Sequence, residues 1–163
     1  MPQEEIYGTR DRTYSAWHRR NSTRRFIGIE NAQLLSMIDL DAACYVEYDD
    51  RTKEPLALIE TAKDIGQNHK TAYITRNLAR RCNPLLSAYV LLYMPADYPN
   101  TADPKWPDIK QFRVKRIWPE PVTDWKIFTP EEWAKFLLQI RENSAELLDR
   151  YWQNERFFQE LGL

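Results

Sequence analysis

Two short apolar runs separated by a charged turn form the clearest pattern in this chain. The runs ACYVEY (43–48) and PLALIET (55–61) are rich in β-branched and aromatic residues, and DDRTKE between them has turn chemistry. We therefore predict a β-hairpin whose turn is centred near Arg51 and Thr52. Both runs are more continuous than alternating, which is typical of strands in a sheet covered on both faces.

The segment after this hairpin changes its period from two to about four and predicts a helix. Two stripes recur at four-residue intervals in NHKTAYITRNLARRCNP, namely Ile74, Leu78 and Cys82, and Thr71, Thr75 and Ala79. Pro84 stops the helix, and the exposed side is expected to carry Lys70, Arg76, Arg80 and Arg81. The apolar run LLSAYVLLYM (85–94) then predicts a buried strand.

The second half of the chain predicts a loop, a strand and a long helix. Four prolines in fourteen residues (95–108) indicate a long loop, and KQFRVKRIW (110–118) predicts a strand with one basic face. Thr129 with Glu132 is a capping-box pattern with Pro130 at the first helical position, which starts a helix over residues 129–155. Its apolar face comprises Trp133, Phe136, Leu137, Ile140, Ser144, Leu147, Leu148 and Tyr151.

The N-terminal part gives a weaker pattern. Residues 9–20 predict a helix that buries Tyr14, Trp17 and Ala16, the segment NSTRR (21–25) ends it, and residues 31–38 form either a short helix or the lead into a strand. The predicted order is helix, strand, strand, helix, strand, strand, helix, which is typical of an α/β or α+β layer fold with helices flanking about four strands. No repeat or boundary divides the chain, so we expect one domain over residues 1–163.

Composition favours a globular protein of the cytoplasm. The chain has 163 residues, of which 43% are hydrophobic, and only 4 are glycine. Cys44 and Cys82 lie in apolar segments without metal-site spacing, so we expect buried free thiols. Residues 1–25 are polar and Arg-rich, unlike a signal peptide, and the longest apolar run (85–94) is too short to span a bilayer.

Charge is distributed unevenly along the chain. The net charge is −1, yet residues 120–163 hold 9 acidic and 5 basic residues, and residues 10–25 hold six arginines against one aspartate. Such a cluster is either a nucleic-acid footprint or a solvated Arg-rich helix.

The predicted hairpin brings carboxylates to one end of the sheet. With the turn centred at Arg51 and Thr52, the residue numbers of each cross-strand pair add up to 103, so Ala43 lies opposite Glu60 and Asp41 opposite Ala62. Because side chains alternate between the faces, Asp39, Asp41, Glu60 and Ala62 share one face. Two such carboxylates suit Mg²⁺ or Mn²⁺, which activates water and stabilises charge on a phosphate. The alternative is a polar rim, in which the aspartates are strand-end residues and Glu60 pairs with an arginine.

This arrangement resembles the PD-(D/E)XK nuclease superfamily. The matching segments are IDLD (38–41), LALIETAK (56–63), HKTAYITRNLARR (69–81) and LLSAYVLLY (85–93), and the resemblance covers roughly residues 10–118. It implies a restriction-endonuclease-like core with a central mixed sheet, over residues 9–118 in our assignment.

The resemblance also implies roles for individual residues. Asp41, or Asp39 in a shifted register, is the first metal ligand, Glu60 the second, and the carbonyl of Ala62 a third. The family lysine falls at position 62, where this chain has alanine. Either Lys63, re-aimed by a bulge near Thr61, or Lys70 would replace it. The residues expected to hold nucleic-acid phosphates are His18, Arg19, Arg20, Arg24, Arg25, Arg76 and Arg80.

Two main functions follow. The first is a metal-dependent nuclease acting on DNA or RNA, with DNA expected as the more frequent partner, of the kind found in mobile elements. The second is an inactive nuclease-fold protein that binds nucleic acid or a protein as a regulatory factor, which Ala62 favours. Outside these, the exposed end of the C-terminal helix, with Phe157, Phe158 and Leu161, predicts a homo-oligomer or a protein partner. The sequence has no Ser-His-Asp order, Gly-rich phosphate loop or Cys/His zinc pattern that would favour another enzyme class.

Overall fold

A computed structural model describes residues 13–82 and 86–162 of the protein. The chain divides after Asp39 into two compact units, and each is described here by itself. The single domain over residues 1–163 stays a prediction. The first part of the predicted N-terminal helix (9–12) and the predicted stop at Pro84 lie outside the described residues.

The first unit contains two helices, α1 (Thr13–Trp17) and α2 (Arg20–Leu34). The predicted break at residues 21–25 is wrong, because this segment lies inside α2. The chain departs from helical geometry instead at Gly28, whose φ of 79° is accessible to glycine. The predicted burial of Tyr14, Trp17 and Ala16 is also wrong, since all three are exposed, and the rings of Tyr14 and Trp17 stack on each other.

The second unit is built on a five-stranded mixed sheet in the order β1-β2-β3-β4-β5. The strands are β1 (Ala42–Glu47), β2 (Lys53–Lys63), β3 (Ser87–Pro99), β4 (Pro107–Trp118) and β5 (Lys126–Phe128). Only β2 and β3 are parallel, and helix α3 (Tyr73–Arg81) connects them; the other neighbouring pairs are antiparallel. The α/β class with a mixed sheet is therefore confirmed, with one strand more than predicted.

Half of the long loop predicted for residues 95–108 is strand. β3 continues to Pro99 and β4 begins at Pro107, so the connection between them is confined to residues 100–106. Prolines are tolerated at these positions because the ends of strands need fewer ladder hydrogen bonds than their centres. Trp106, in the connection, is 62% exposed.

The hairpin is located as predicted, but the predicted pairing register of its two strands is wrong. Ala42 pairs with Ile59 and Cys44 with Ala57, whereas Tyr45 pairs with Pro55. Leu56 is therefore an extra residue in β2, a β-bulge that sequence spacing does not reveal. The bulge lets both Leu56 and Ala57 pack toward the long C-terminal helix, where their clusters lie.

Helix α3 packs its small residues, not its large ones, against the sheet. Thr75 and Ala79 are buried, whereas Ile74 is 54% and Leu78 38% exposed. Small side chains let the helix approach the sheet closely, and Ala79 contacts Leu58 in the core. Cys82, which follows the helix, is exposed and Cys44 is half-buried, so the prediction of two buried thiols is wrong.

The C-terminal helix α4 (Pro130–Glu160) covers the opposite face of the sheet. Its capping box is present as predicted: the Thr129 hydroxyl accepts from the Glu132 amide at 3.2 Å, and the Glu132 carboxylate accepts from the Thr129 amide at 2.8 Å. Trp133, Ile140 and Leu148 of the predicted face are buried, whereas Leu147 and Tyr151, which were also predicted on it, are exposed. Beyond Leu148 the apolar residues are largely exposed, including Trp152, Phe157, Phe158 and Leu161. None of the helices in the described residues is both long and apolar enough to cross a bilayer.

Candidate active site on the α3 face of the sheet

Glu60 is a buried carboxylate on the face of the sheet covered by α3. It is 7% exposed, and the Nζ of Lys70 lies 3.1 Å from its Oε1. The hydroxyl of Thr75, on the first turns of α3, donates to its Oε2 at 3.3 Å. Both oxygens therefore have partners, as a buried charge requires. The polar-rim alternative expected an arginine here, and the partner is a lysine.

Asp41 directly precedes β1, at the end of the hairpin. The pairing of Ala42 with Ile59, extended by one residue, would set Asp41 opposite Glu60, so the predicted pairing with Ala62 is wrong by two residues. The carboxylate of Asp41 bonds to Thr61, the residue after Glu60, whose side chain lies on the other face of β2. The Oδ2 of Asp41 accepts from the amide of Thr61 at 2.8 Å and from its hydroxyl at 3.2 Å.

Of the two lysines proposed for the site, the structure brings only Lys70 to Glu60. β2 pairs with β3 without interruption from Ala57 to Lys63, so there is no bulge near Thr61. Lys63 follows Glu60 by three positions and therefore lies on the opposite face of the sheet. Lys70 belongs to the connection before α3, not to the helix itself.

A clamp holds the connection that carries Lys70. Arg113 of β4 donates to Asp64 through Nε and Nη2, both at 2.7 Å, and its Nη2 also donates to the carbonyl of Gln67 at 2.8 Å. The indole of Trp125 donates to the carbonyl of Asn68 at 3.0 Å. These bonds fix the backbone on the N-terminal side of Lys70. The side chain of Gln67 bonds to the backbone of Ile65 and Lys63 within the same turn.

The ion pair between Asp64 and Arg113 is nearly enclosed. The side chains expose 5% and 15% of their surface. The hydrogen bonds from Arg113 lower the pKa of Asp64 below its usual 3.8, with burial opposing them, and the bonds to Asp64 raise the pKa of Arg113. Bidentate pairing of this kind is among the stronger polar contacts in proteins.

We expect this pair to make the fold sensitive to acid. Because folding lowers the pKa of Asp64, its stabilisation is complete above the unfolded value of about 3.9 and is lost as the pH falls through the lower folded value. Asp64→Asn should lower the free energy of unfolding at pH 7 by about 2 kcal/mol. Between pH 5 and about 2, the free energy of unfolding of this variant should decrease less than that of the wild type. Urea unfolding across this range measures both. The exposed Asp97→Asn should behave as the wild type; equal acid losses in wild type and Asp64→Asn would contradict the assignment.

A cavity of about 150 Å³ adjoins Lys70 on this face. It is lined by Asn68, His69, Lys70, Ala72, Tyr73, Arg76, Val90, Lys115, Ile117, Val122 and Trp125. The cationic groups of Arg113 and Lys115 lie 5.3 and 5.6 Å from the centre of the Trp125 ring. The cavity is thus apolar at its floor and basic at its edge.

Two of the N-terminal residues proposed for the site, His18 and Arg19, contact Asp39 within the first unit. The Nη2 of Arg19 lies 2.7 Å from Oδ2 of Asp39, and the Nε2 of buried His18 lies 3.3 Å from Oδ1 without the angle of a hydrogen bond. Asp39 is therefore ion-paired, and Arg20, Arg24 and Arg25 are exposed along α2.

The arginines of α3 differ from each other. Arg76 is half-buried, with its Nη2 2.7 Å from Oε1 of Glu120 and its guanidinium 5.7 Å from the Trp118 ring centre. Arg80 is exposed. Only Arg76 of these two lines the cavity.

Sequence reasoning missed Thr75, Asp64, Arg113, Lys115 and Trp125. The stripe of Thr71, Thr75 and Ala79 was a usable signal for Thr75, because a small polar residue within a buried stripe needs a partner. The clamp joins residues 49 positions apart, and no local pattern marks such a pair.

The described residues offer few ligands for a metal ion. No group of three or more His, Cys, Asp or Glu side chains among them is placed to hold one. Asp41 and Glu60 supply carboxylate oxygens, the donor type that Mg²⁺ prefers, and Mg²⁺ commonly uses only one or two carboxylates together with waters and phosphates. These two carboxylates suit the ion in chemistry, and their joint use as ligands stays a prediction.

Comparison with known proteins adds no assignment. No family model, no curated protein and no solved structure matches this chain.

Proposed function

We propose that residues 40–162 carry a metal-dependent nuclease site that acts on nucleic-acid phosphodiesters. The observation that carries the proposal is the 3.1 Å contact between Nζ of Lys70 and Oε1 of Glu60. The resemblance to PD-(D/E)XK nucleases requires a lysine beside the second carboxylate, and position 62 does not provide one. Lys70 supplies that ammonium group from the connection before α3. The order of hairpin, helix and parallel strand supports the restriction-endonuclease-like core that the resemblance implies.

The residues have distinct roles in this proposal. Asp41 and Glu60 are the ligands for Mg²⁺ or Mn²⁺, which when bound supplies an acidified water and charge stabilisation at the phosphate. Lys70 places its positive charge beside the negative charge that grows on the phosphoryl oxygens. Thr75 orients the Glu60 carboxylate through its hydrogen bond, and the clamp of Asp64 and Arg113 fixes the backbone before Lys70.

Arginines on α2 and α3 would add attraction for the nucleic-acid backbone. Arg20, Arg24, Arg25 and Arg80 are exposed, as residues that contact phosphates must be. We propose DNA as the preferred substrate and the cytoplasm as the setting.

A second function is binding without cleavage. The observations that favour it are Ala62 at the lysine position and the pairing of both Glu60 oxygens with protein groups. A protein of this kind would bind nucleic acid with strong dependence on salt and would not turn it over. Its regulatory partner would be a nucleic acid or a protein at the exposed end of α4.

The two lysines provide a matched test of the proposed site. With a supercoiled plasmid and Mn²⁺, we expect Lys70→Met to nick DNA about a hundredfold more slowly than the wild type, since a preorganised charge is lost at the phosphate. Lys63→Met removes the same charge on the opposite face and should stay within about twofold. Calorimetric titration of the wild type with Mn²⁺ checks metal binding separately.

Three outcomes of this test differ in meaning. Equal losses in both lysine variants would indicate general attraction of DNA rather than an active site at Lys70. If the wild type neither binds Mn²⁺ nor nicks DNA, the nuclease function is excluded and the binding function remains. Slow nicking by Lys70→Met with unchanged Mn²⁺ affinity would support the roles given above.

A further inference from the structure

We propose that the cavity beside Lys70 takes one unpaired base, so that the protein prefers single-stranded or locally opened nucleic acid. We call it the aromatic cavity, with Tyr73 and Trp125 as its rings. The inference deepens the proposed function, on which its choice of nucleic acid as ligand rests. The resemblance to nucleases does not itself supply this preference.

The size and lining of the aromatic cavity suit a planar ring. Its volume is about 150 Å³, and a cavity of that size is known to hold one small aromatic ring in another protein. Val90, Ile117 and Val122 provide apolar contacts. The faces of a base are apolar, so desolvation favours its entry.

The two aromatic rings have different properties. The Trp125 indole is held by its bond to the Asn68 carbonyl, so little conformational freedom remains to be lost when a ligand packs on it. Tyr73 is the first residue of α3 and is 65% exposed, although a ring of this size usually buries much of its surface. An exposed ring beside a fixed one can contact a base without recognising its sequence.

The basic groups at the edge of the aromatic cavity are placed to contact the phosphate of the bound nucleotide. Lys70, Arg76 and Lys115 all line it. Within the described residues no carboxylate lies in ion-pair distance of Lys115. The partner of Arg76, Glu120, is 64% exposed and is therefore screened by water, so a phosphate can replace it at small cost.

These features together select a nucleotide over other ligands. An apolar ligand would make no charge interaction with the three cations at the edge, and an acidic peptide would make no stacking contact with the rings. In a duplex the bases are stacked and paired, and one of them reaches a pocket only after it leaves the stack. Lys70 touches both Glu60 and the cavity, so the seated base belongs to a nucleotide next to the phosphate that is cleaved.

The test measures binding without cleavage. Full-length protein in EDTA is titrated into fluorescein-labelled dT12 and into a 12-base-pair duplex, and anisotropy gives each Kd. We expect the wild type to bind dT12 at least about tenfold more tightly than the duplex, a factor typical of one stacked base. Tyr73→Ala removes a ring and Val122→Phe fills the cavity from an exposed position, and each should weaken dT12 binding about tenfold. Tyr98→Ala, at a tyrosine that is 54% exposed on β3, should stay within about twofold.

The results separate this inference from the proposed nuclease. Equal wild-type affinities for dT12 and duplex would overturn it, as would no binding of dT12, or variants that bind dT12 as the wild type does while thermal melting shows that they are folded. Loss of dT12 binding in both cavity variants but not in Tyr98→Ala would support it. That result would stand even if the nicking assay with Mn²⁺ found no cleavage, in which case only the nuclease proposal fails.

Discussion

Glu60→Gln is expected to abolish metal-dependent nicking, with the rate falling by at least about a hundredfold. The substitution keeps the size of the side chain and the bond that Thr75 donates, but it removes the charge that would hold the metal ion. It also removes the ion pair that positions Lys70. Plasmid nicking with Mn²⁺ measures the rate, and calorimetry should show that Mn²⁺ affinity falls as well.

The control for this prediction lies on the same strand. Glu54→Gln removes one carboxylate at the other end of β2, near the turn, and should nick as the wild type does. Thermal melting is needed for both variants, because Glu60 is buried and its loss leaves Lys70 without its partner. A folded Glu60→Gln protein that nicks at the wild-type rate would exclude Glu60 as a metal ligand.

Leu92→Ala is expected to lower the free energy of unfolding by about 3 kcal/mol. Leu92 is completely buried in β3, the central strand, where it lies between Ala62 of β2 and Arg113 of β4. Truncation leaves a cavity that the paired strands on both sides cannot close by moving together. Urea unfolding monitored by tryptophan fluorescence gives the value.

A leucine on the surface provides the comparison. Leu138→Ala, at a position of α4 that is 59% exposed, should change the free energy of unfolding by less than about 0.5 kcal/mol. If the two leucine variants had equal free energies of unfolding, the assignment of Leu92 to a closely packed core would be contradicted. A change in the urea dependence itself would mean that the unfolded or native state had changed in compactness.

The sequence predicts where the helices and strands lie better than it predicts how the strands pair with one another. Turn chemistry at residues 49–54 and the capping box at Thr129 are local, and both elements lie where the sequence indicates. The register of the hairpin is not local, because it depends on the extra residue Leu56 and on how both strands pack against α4. β5, with only three residues, gives no pattern at all.

The candidate site was predicted in part for the same reason. The prediction that Asp41 and Glu60 share a face rests on the period of two, whereas the carboxylate of Asp41 bonds to Thr61, one residue beyond Glu60. The choice between Lys63 and Lys70 needed the path of the chain after β2, which the clamp of Asp64 and Arg113 sets from across the sheet. The buried side of α3 was ambiguous, since its larger apolar residues are the exposed ones.

The bulge at Leu56 divides the hairpin into two segments whose alignments are set separately. The segment next to the turn is fixed by the contact of Val46 and Leu56 with Leu148, and the segment next to the site by the pairing of Ala42 with Ile59. Because the contact with Leu148 holds the segment next to the turn, a residue gained or lost in the turn would change the turn alone and leave the pairing of Ala42 with Ile59 in place. The hairpin tip could therefore change in length without moving the part of β2 that carries Glu60.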